Sequence, residues 1–176
     1  MAFVKATRRK SKLRLALAGP SGAGKTLSAL LLAYGITGDW GKIALIDTEH
    51  GRARFYANRT DFETGEFLYQ ELTPPYSPER YKQMVAEGAQ AVGPDGVVIV
   101  DSFSHAWDNE GGVLDIKSGI EKNNSKTSFS AWDEAGKVQN LDIVCTLNNM
   151  KVTVKKKADR IPVVISTEFI KLESAM

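Results

Sequence analysis

The chain is poor in the residues that build disulfides and most metal sites. Cys145 is the single cysteine among 176 residues, which excludes internal disulfides and zinc sites made of several cysteines. His50 and His105 are the only histidines, so histidine-rich metal sites are excluded too. The longest apolar runs, such as residues 97–100, are far shorter than the roughly 20 residues of a membrane-spanning helix. We therefore expect a cytoplasmic protein with no membrane partner.

Composition and length favour one globular domain over residues 1–176. Hydrophobic residues make up 43% and charged residues 25%, the balance of a soluble protein with a packed core. The net charge of +2 is small, but basic residues are concentrated in an N-terminal arm, residues 1–12, and in a late segment, residues 151–160. Such clusters suit nucleic-acid phosphates, and equally a solvated tail and hairpin.

Apolar stretches alternate with amphipathic stretches along the chain. Apolar runs predict strands at residues 13–18, 43–46, 67–72, 97–100 and 143–147, and helical patterns occupy residues 25–34, 79–92 and 130–141. We expect a face of Leu27, Leu30, Leu31 and Tyr34 on the first helix, Gly35 and Gly38 to end it, and Ser77 with Pro78 to begin the second. The composition of residues 108–126 predicts a long loop with at most one turn of helix, and that of residues 152–172 predicts shorter, more exposed strands. Alternating strands and helices predict a three-layer α/β fold with a mainly parallel sheet, whose ligands lie beyond the carboxyl ends of the strands.

Residues 19–26 form the pattern Gly-x-x-x-x-Gly-Lys-Thr between a predicted strand and a predicted helix. Glycines let the backbone wrap around an anion, and the N–H groups of the loop and of the helix start then face a phosphate. A lysine in this place reaches the β- and γ-phosphates, and a threonine hydroxyl binds magnesium. The pattern predicts that ATP and Mg²⁺ bind at Gly19, Pro20, Ser21, Gly22, Ala23, Gly24, Lys25 and Thr26.

Asp101 directly follows the β-branched run at residues 97–100. A strand-end aspartate in a P-loop protein is typical of a Walker B residue, which holds the magnesium shell, usually through water. We therefore predict Thr26 and Asp101 as the metal-binding residues.

The segments Asp-Thr-Glu-His-Gly at residues 47–51 and Val-Ile-Val-Asp-Ser at residues 98–102 resemble the RecA-type recombinase ATPases. Over residues 13–147 the chain is similar to small phage-encoded AAA/RecA-like P-loop ATPases. The resemblance implies a RecA-like P-loop NTPase fold. It also implies that Glu49, which matches the glutamate after the second core strand, is the general base that polarises the attacking water, with Lys25 as the second catalytic residue.

The same resemblance implies a partner. RecA-type proteins bind single-stranded DNA through two loops, which correspond here to residues 108–128 and 148–160. The resemblance implies a role in phage recombination or annealing in the host cytoplasm. Apart from the resemblance, Arg52 is a candidate for a trans-acting arginine that contacts a phosphate if the chain forms a homo-oligomer. The second loop contains the basic residues Lys151, Lys155, Lys156, Lys157 and Arg160.

Two alternatives remain open at this stage. The octet itself also resembles nucleotide and metabolite kinases, although the only arginine pair placed near the second strand is Arg52 with Arg54. The RecA-type family has an arginine and a lysine after the last core strand, where this chain has Asn148 and Asn149, and residues 148–176 look like a shortened set of strands. Those departures favour slow hydrolysis or a binding module that does not hydrolyse.

Overall fold

A computed structural model describes residues 14–124, 131, 135 and 163–169. Ala131 and Ala135 have helical backbone and are fully buried, in the segment where a helix was predicted. The predicted strand at residues 143–147 and both basic clusters lie outside the described residues. In chain order the elements are β1 (Arg14–Gly19), α1 (Lys25–Thr37), a 3₁₀ turn (Trp40–Lys42), β2 (Ile43–Asp47), a second 3₁₀ turn (Arg52–Tyr56), β3 (Leu68–Glu71), α2 (Pro78–Val92), β4 (Val97–Asp101), α3 (His105–Asp108), α4 (Val113–Asn124) and β5 (Val163–Phe169).

The five described strands form one sheet in the order β1-β5-β4-β2-β3, and all four neighbouring pairs are parallel. The predicted α/β class with a parallel sheet is confirmed. The register of β2 and β4 sets Asp47 opposite Asp101, so the two strands end at the same level. The residues that follow these strands therefore emerge side by side at one edge of the sheet.

Helices cover both faces of the sheet. On one face, Tyr81 and Val85 of α2 pack with Ala44 and Val98, and on the other, Leu30 of α1 packs with residues from the alternate positions of β2 and β4. Every residue of β2 and β4 is buried, which explains why these strands are apolar throughout and do not alternate with polar residues. Each large side chain buried in these layers contributes about 1.5–3 kcal/mol.

Helix α1 differs from its predicted course. It continues through Gly35 to Thr37 and ends at Gly38, whose φ of 66° allows its N–H to donate to the Tyr34 carbonyl oxygen at 2.7 Å. Glycine inside a helix is tolerated at modest cost, so Gly35 does not end it. The predicted apolar face was also partly wrong, because Leu31 is 43% exposed and Tyr34 is 39% exposed. The face that packs on the sheet consists of Ala29, Leu30 and Ala33.

Helix α2 begins as predicted, with Ser77 accepting a hydrogen bond from the Arg80 N–H and Pro78 in the first turn. The loop predicted at residues 108–126 was wrong, since α4 occupies Val113–Asn124. The helix was missed because the composition of this segment is polar. An ion pair between Lys117 and Glu121, which lie one turn apart with 2.9 Å between Nζ and Oε1, supports the helix.

The strand β5 lies inside the sheet, with backbone partners on both sides, where short exposed strands had been predicted. Strand propensity indicates that a segment is extended, but it does not predict which strands that segment pairs with. In the described residues, no helix is long and apolar enough to cross a lipid bilayer.

Candidate active site

The loop between β1 and α1 has the backbone shape that its glycines allow. Gly22 and Gly24 have φ values of 79° and 78°, in the left-handed region that favours glycine. No described atom lies within 4 Å of the place where a Cβ on either residue would stand, so backbone conformation alone requires glycine there. Gly24 has no side chain with which to cap α1, so the first N–H groups of the helix are available to an anion.

Lys25 and Thr26 tie this loop to its surroundings. The Lys25 ammonium donates to the Pro20 carbonyl oxygen at 2.9 Å, which places the cation over the loop. The Thr26 hydroxyl donates to Oδ2 of Asp101 at 2.5 Å, joining the start of α1 to the end of β4. Asp101 is only 3% exposed.

The Thr26 hydroxyl and the Asp101 carboxylate fit a magnesium ion. Both are hard oxygen donors, and they already lie within hydrogen-bond distance of each other. Within the described residues, no group of three acidic, histidine or cysteine side chains could hold a metal by itself. Magnesium in nucleotide sites takes one or two protein oxygens and completes its shell with phosphates and water, so this small donor set suits it.

These residues line a cavity of about 540 Å³. The P-loop supplies one side, and Glu49 and Asp101 lie in the same lining. Its size is that of an ordinary small-molecule pocket. Sequence reasoning had missed a group of aromatic and basic residues in the lining, namely Phe55, Tyr56, Arg59 and Phe62.

The arginine pair considered from the sequence divides between two places. Arg52 lines the cavity with its side chain 71% exposed, while Arg54 lies over the Tyr69 ring, 4.5 Å from its centre. Arg59, which was not singled out, lies 4.6 Å over the Phe62 ring. Alternating arginine and aromatic residues after the second strand were the signal that could have indicated this lining.

Asp47 shapes the turn that carries Glu49. It is fully buried, and its Oδ1 accepts from the Glu49 N–H at 2.6 Å while its Oδ2 accepts from the Ala53 N–H at 3.1 Å. The Tyr69 hydroxyl donates to the same Oδ2 at 3.2 Å. Burial, followed by the negative charge of Asp47, raises the pKa of Tyr69 to about 12, so Tyr69 remains a donor at neutral pH.

The Glu49 side chain is 16% exposed, and its carboxylate has a different neighbour at each oxygen. Its Oε1 accepts from the Ser102 hydroxyl at 3.3 Å and lies 4.0 Å from Nδ1 of His105. Its Oε2 lies 4.0 Å from the Arg52 guanidinium. Burial, with the negative charge of Glu49 as the next cause, raises the pKa of the neighbouring Tyr76.

Of the ten residues predicted for the nucleotide, the metal and catalysis, seven line one cavity, while Gly19, Pro20 and Ala23, which the structure also describes, do not. Lys25, Thr26, Glu49 and Asp101 all line it, together with Ser21, Gly22 and Gly24. Pro20 contributes through its carbonyl oxygen, which also accepts from the Ala23 N–H at 3.3 Å. The predicted DNA contacts at Lys151, Lys155, Lys156, Lys157 and Arg160 lie outside the described residues.

Comparison with known proteins agrees with this geometry. The family model described as an AAA domain matches residues 11–156, most of the chain and all of the cavity lining. No curated protein matches the chain. The parallel α/β sheet, with a P-loop between its first strand and first helix, is the P-loop NTPase fold predicted from the sequence. The chain belongs to the AAA domain family of P-loop ATPases.

Proposed function

We propose that the chain is a Mg²⁺-dependent, RecA-like ATPase that acts with single-stranded DNA in phage recombination or annealing. One observation carries the enzymatic part of this proposal. Lys25, the bonded pair Thr26 and Asp101, and the carboxylate of Glu49 all line one cavity. A phosphate-binding loop, a magnesium site and a base are the parts that ATP hydrolysis requires.

The P-loop would hold the phosphates of ATP. The open N–H groups at the start of α1 and the Lys25 ammonium face the β- and γ-phosphates, where charge is poorly screened and each contact is strong. Thr26 and Asp101 would hold Mg²⁺, which, when bound, neutralises charge on the phosphate oxygens.

Glu49 would act on the attacking water. Since Ser102 occupies Oε1, we assign Oε2 as the oxygen that accepts the proton of the water. The water oxygen forms a bond to the γ-phosphorus, the bond from that phosphorus to the bridging oxygen breaks, and ADP leaves with the electron pair. The products are ADP and inorganic phosphate.

The aromatic side of the cavity would take the purine base. Phe55 is 73% exposed and Phe62 is 37% exposed, and both line the cavity beside Tyr56. Exposed rings at a pocket are suited to stacking on a base, which contributes about 1–3 kcal/mol for each base in nucleic-acid complexes.

The DNA part of the proposal is supported by charge and by the resemblance. Five basic residues within residues 151–160 would release counterions from a phosphate backbone, giving affinity for any sequence. Residues 113–124, in the other segment assigned to DNA, form helix α4, so that contact would come from a helix and its flanking turns.

The experiment measures phosphate release from ATP with and without single-stranded DNA, with Lys25→Ala as the matched control. We expect turnover that DNA stimulates, and an ATP affinity at least about tenfold weaker in Lys25→Ala, because the variant lacks the cation that meets the phosphates. Transfer to an added hydroxyl acceptor would assign a kinase instead. Binding without turnover would assign a module that does not hydrolyse ATP.

Charge reversal of Lys155, Lys156 and Lys157 to Glu tests the DNA contact separately. We expect weaker binding to all sequences alike. The salt dependence should also fall by about one unit of slope for each DNA phosphate that the variant no longer neutralises. If the variant and the parent have the same DNA-binding curves, the basic cluster is a solvated hairpin that does not contact DNA.

A further inference from the structure

A chain of hydroxyl groups connects Glu49 to the segment after β4. The Ser102 hydroxyl donates to Glu49 Oε1 at 3.3 Å and lies 2.6 Å from the Ser104 hydroxyl. Ser102 is fully buried, so its hydroxyl is shielded from bulk solvent. One oxygen of Glu49 is therefore held from the residues that lead into α3.

His105, the first residue of α3, reaches the same place. Its Nδ1 lies 2.7 Å from the Thr48 hydroxyl and 4.0 Å from Oε1 of Glu49. The Thr48 oxygen also accepts from the Ser102 N–H at 2.9 Å and donates to the Ser102 carbonyl oxygen at 3.0 Å. Because the Thr48 hydroxyl hydrogen is donated to the Ser102 carbonyl, Nδ1 of His105 carries the hydrogen in its contact with Thr48 and donates to the Thr48 oxygen. The negative charge of Glu49 favours the same tautomer.

The imidazole ring is fixed by its other neighbours. It stacks on Tyr76 with ring centres 5.0 Å apart and planes 24° apart. Tyr76 is 4% exposed, and its N–H donates to the Glu110 carbonyl oxygen at 2.7 Å in the turn after α3. His105 is thus held rigidly as a donor to Thr48, whose hydroxyl in turn binds the backbone of Ser102, the residue that donates to Glu49.

Arg52, a cation near Glu49, is a weaker restraint. Its side chain is 71% exposed, against 19% for His105, so solvent screens its pairing. It also approaches Oε2, the oxygen assigned to the water, whereas His105 approaches Oε1. His105 is not one of the described residues that line the cavity, so it acts on Glu49 through Thr48 and Ser102.

We propose that His105 is a positioning residue for Glu49: its bond to Thr48 holds the Thr48–Ser102 pair in place, and the Ser102 hydroxyl then fixes Oε1 and leaves Oε2 turned to the attacking water. The inference rests on the proposed ATPase function. It assigns a role in the site to α3, which belongs to neither the P-loop nor the Walker B motif.

The test compares three substitutions of His105 in ATP turnover. His105→Phe keeps the stacking on Tyr76 but removes the nitrogen, and His105→Ala removes both. In each we expect kcat to fall roughly tenfold to a hundredfold, with KM and Kd for ATP within about twofold, because orientation is lost while binding is kept. His105→Asn places an amide N–H near Nδ1 and should restore kcat to within about threefold of the parent. His50→Asn, at an exposed position, is the histidine control.

A double-variant comparison separates positioning from a structural role. In the Glu49→Gln background, His105→Phe should cause no further loss, because the group that it positions is already gone. An equal loss in both backgrounds, or parental kcat in His105→Phe, would overturn this inference alone, provided that Glu49→Gln is slow. Parental turnover in Glu49→Gln itself, or none in the parent, would overturn the proposed function and this inference with it.

Discussion

The two sides of the cavity are built in different ways. The P-loop side comes from consecutive residues, and its shape rests on local contacts such as the bonds from Lys25 and Ala23 to the Pro20 carbonyl, with the Thr26–Asp101 bond as its link to β4. The Glu49 side is assembled from distant segments, with Thr48 and Ser102 both fully buried and bonded to each other. The P-loop side is therefore specified largely by a short motif, while the position of Glu49 depends on tertiary packing.

The largest expected effect comes from a substitution on the Glu49 side, which should change turnover without changing nucleotide binding. Glu49→Gln keeps the shape of the side chain and leaves the P-loop untouched, so ATP and Mg²⁺ should bind as before. Turnover should fall about a hundredfold or more, the usual scale for a lost general base. Calorimetric titration and a phosphate-release assay on the same preparation measure both. Asp101→Asn provides the contrast, since it should weaken the Mg²⁺ dependence together with turnover.

A smaller effect tests whether the Glu49 side depends on buried packing. Asp47→Asn replaces one carboxylate oxygen with an amide NH₂, which cannot accept a hydrogen bond. The variant therefore loses either the bond from the Glu49 N–H or the bonds from the Ala53 N–H and the Tyr69 hydroxyl. Since hydrogen bonds to a buried charge contribute more than neutral ones, we expect a loss of about 2 kcal/mol in the free energy of unfolding. Urea unfolding measures it. Asp39→Asn, an exposed cap of the Trp40–Lys42 turn, should change stability very little, because asparagine caps equally well. Equal effects at the two positions would contradict the comparison.

The smallest effect concerns the P-loop side. Gly24→Ala forces a residue with a Cβ into a φ of 78°, which costs about 1–2 kcal/mol although space is available. Gly35→Ala lies inside α1, also with open space, and should stabilise the protein by about 0.5–1 kcal/mol. Opposite signs in thermal unfolding would show that conformation alone sets the glycine requirement. The same sign at both would refute that view.

The parts of the fold that the sequence predicted correctly are those with local signals. The apolar runs of β2 and β4, the Ser77–Pro78 start of α2 and the Gly38 end of α1 each have a cause within a few residues. Helix α4 was missed because its sequence is polar. The position of β5 was missed because pairing between distant strands leaves little trace in either strand alone.

The same division holds within the candidate site. The P-loop, Asp101 and Glu49 were found because they sit in short motifs or directly after strands. The contact of His105 with Thr48 joins residues 57 positions apart, and no spacing in the sequence predicts it. Phe55 and Phe62 belong to no sequence motif, and only the fold places them in the same cavity lining as the P-loop.

The position of β5 has a consequence for protein synthesis. The P-loop strand β1 pairs with β5, and β5 alone separates it from β4, which carries Asp101. Residues 163–169 leave the ribosome long after the P-loop has emerged, since chains are made from the N-terminus. A nascent chain that stops before residue 163 lacks the strand that joins the two halves of the pocket. We therefore expect nucleotide to stabilise the protein only after residues 163–169 have emerged and β5 has joined the sheet.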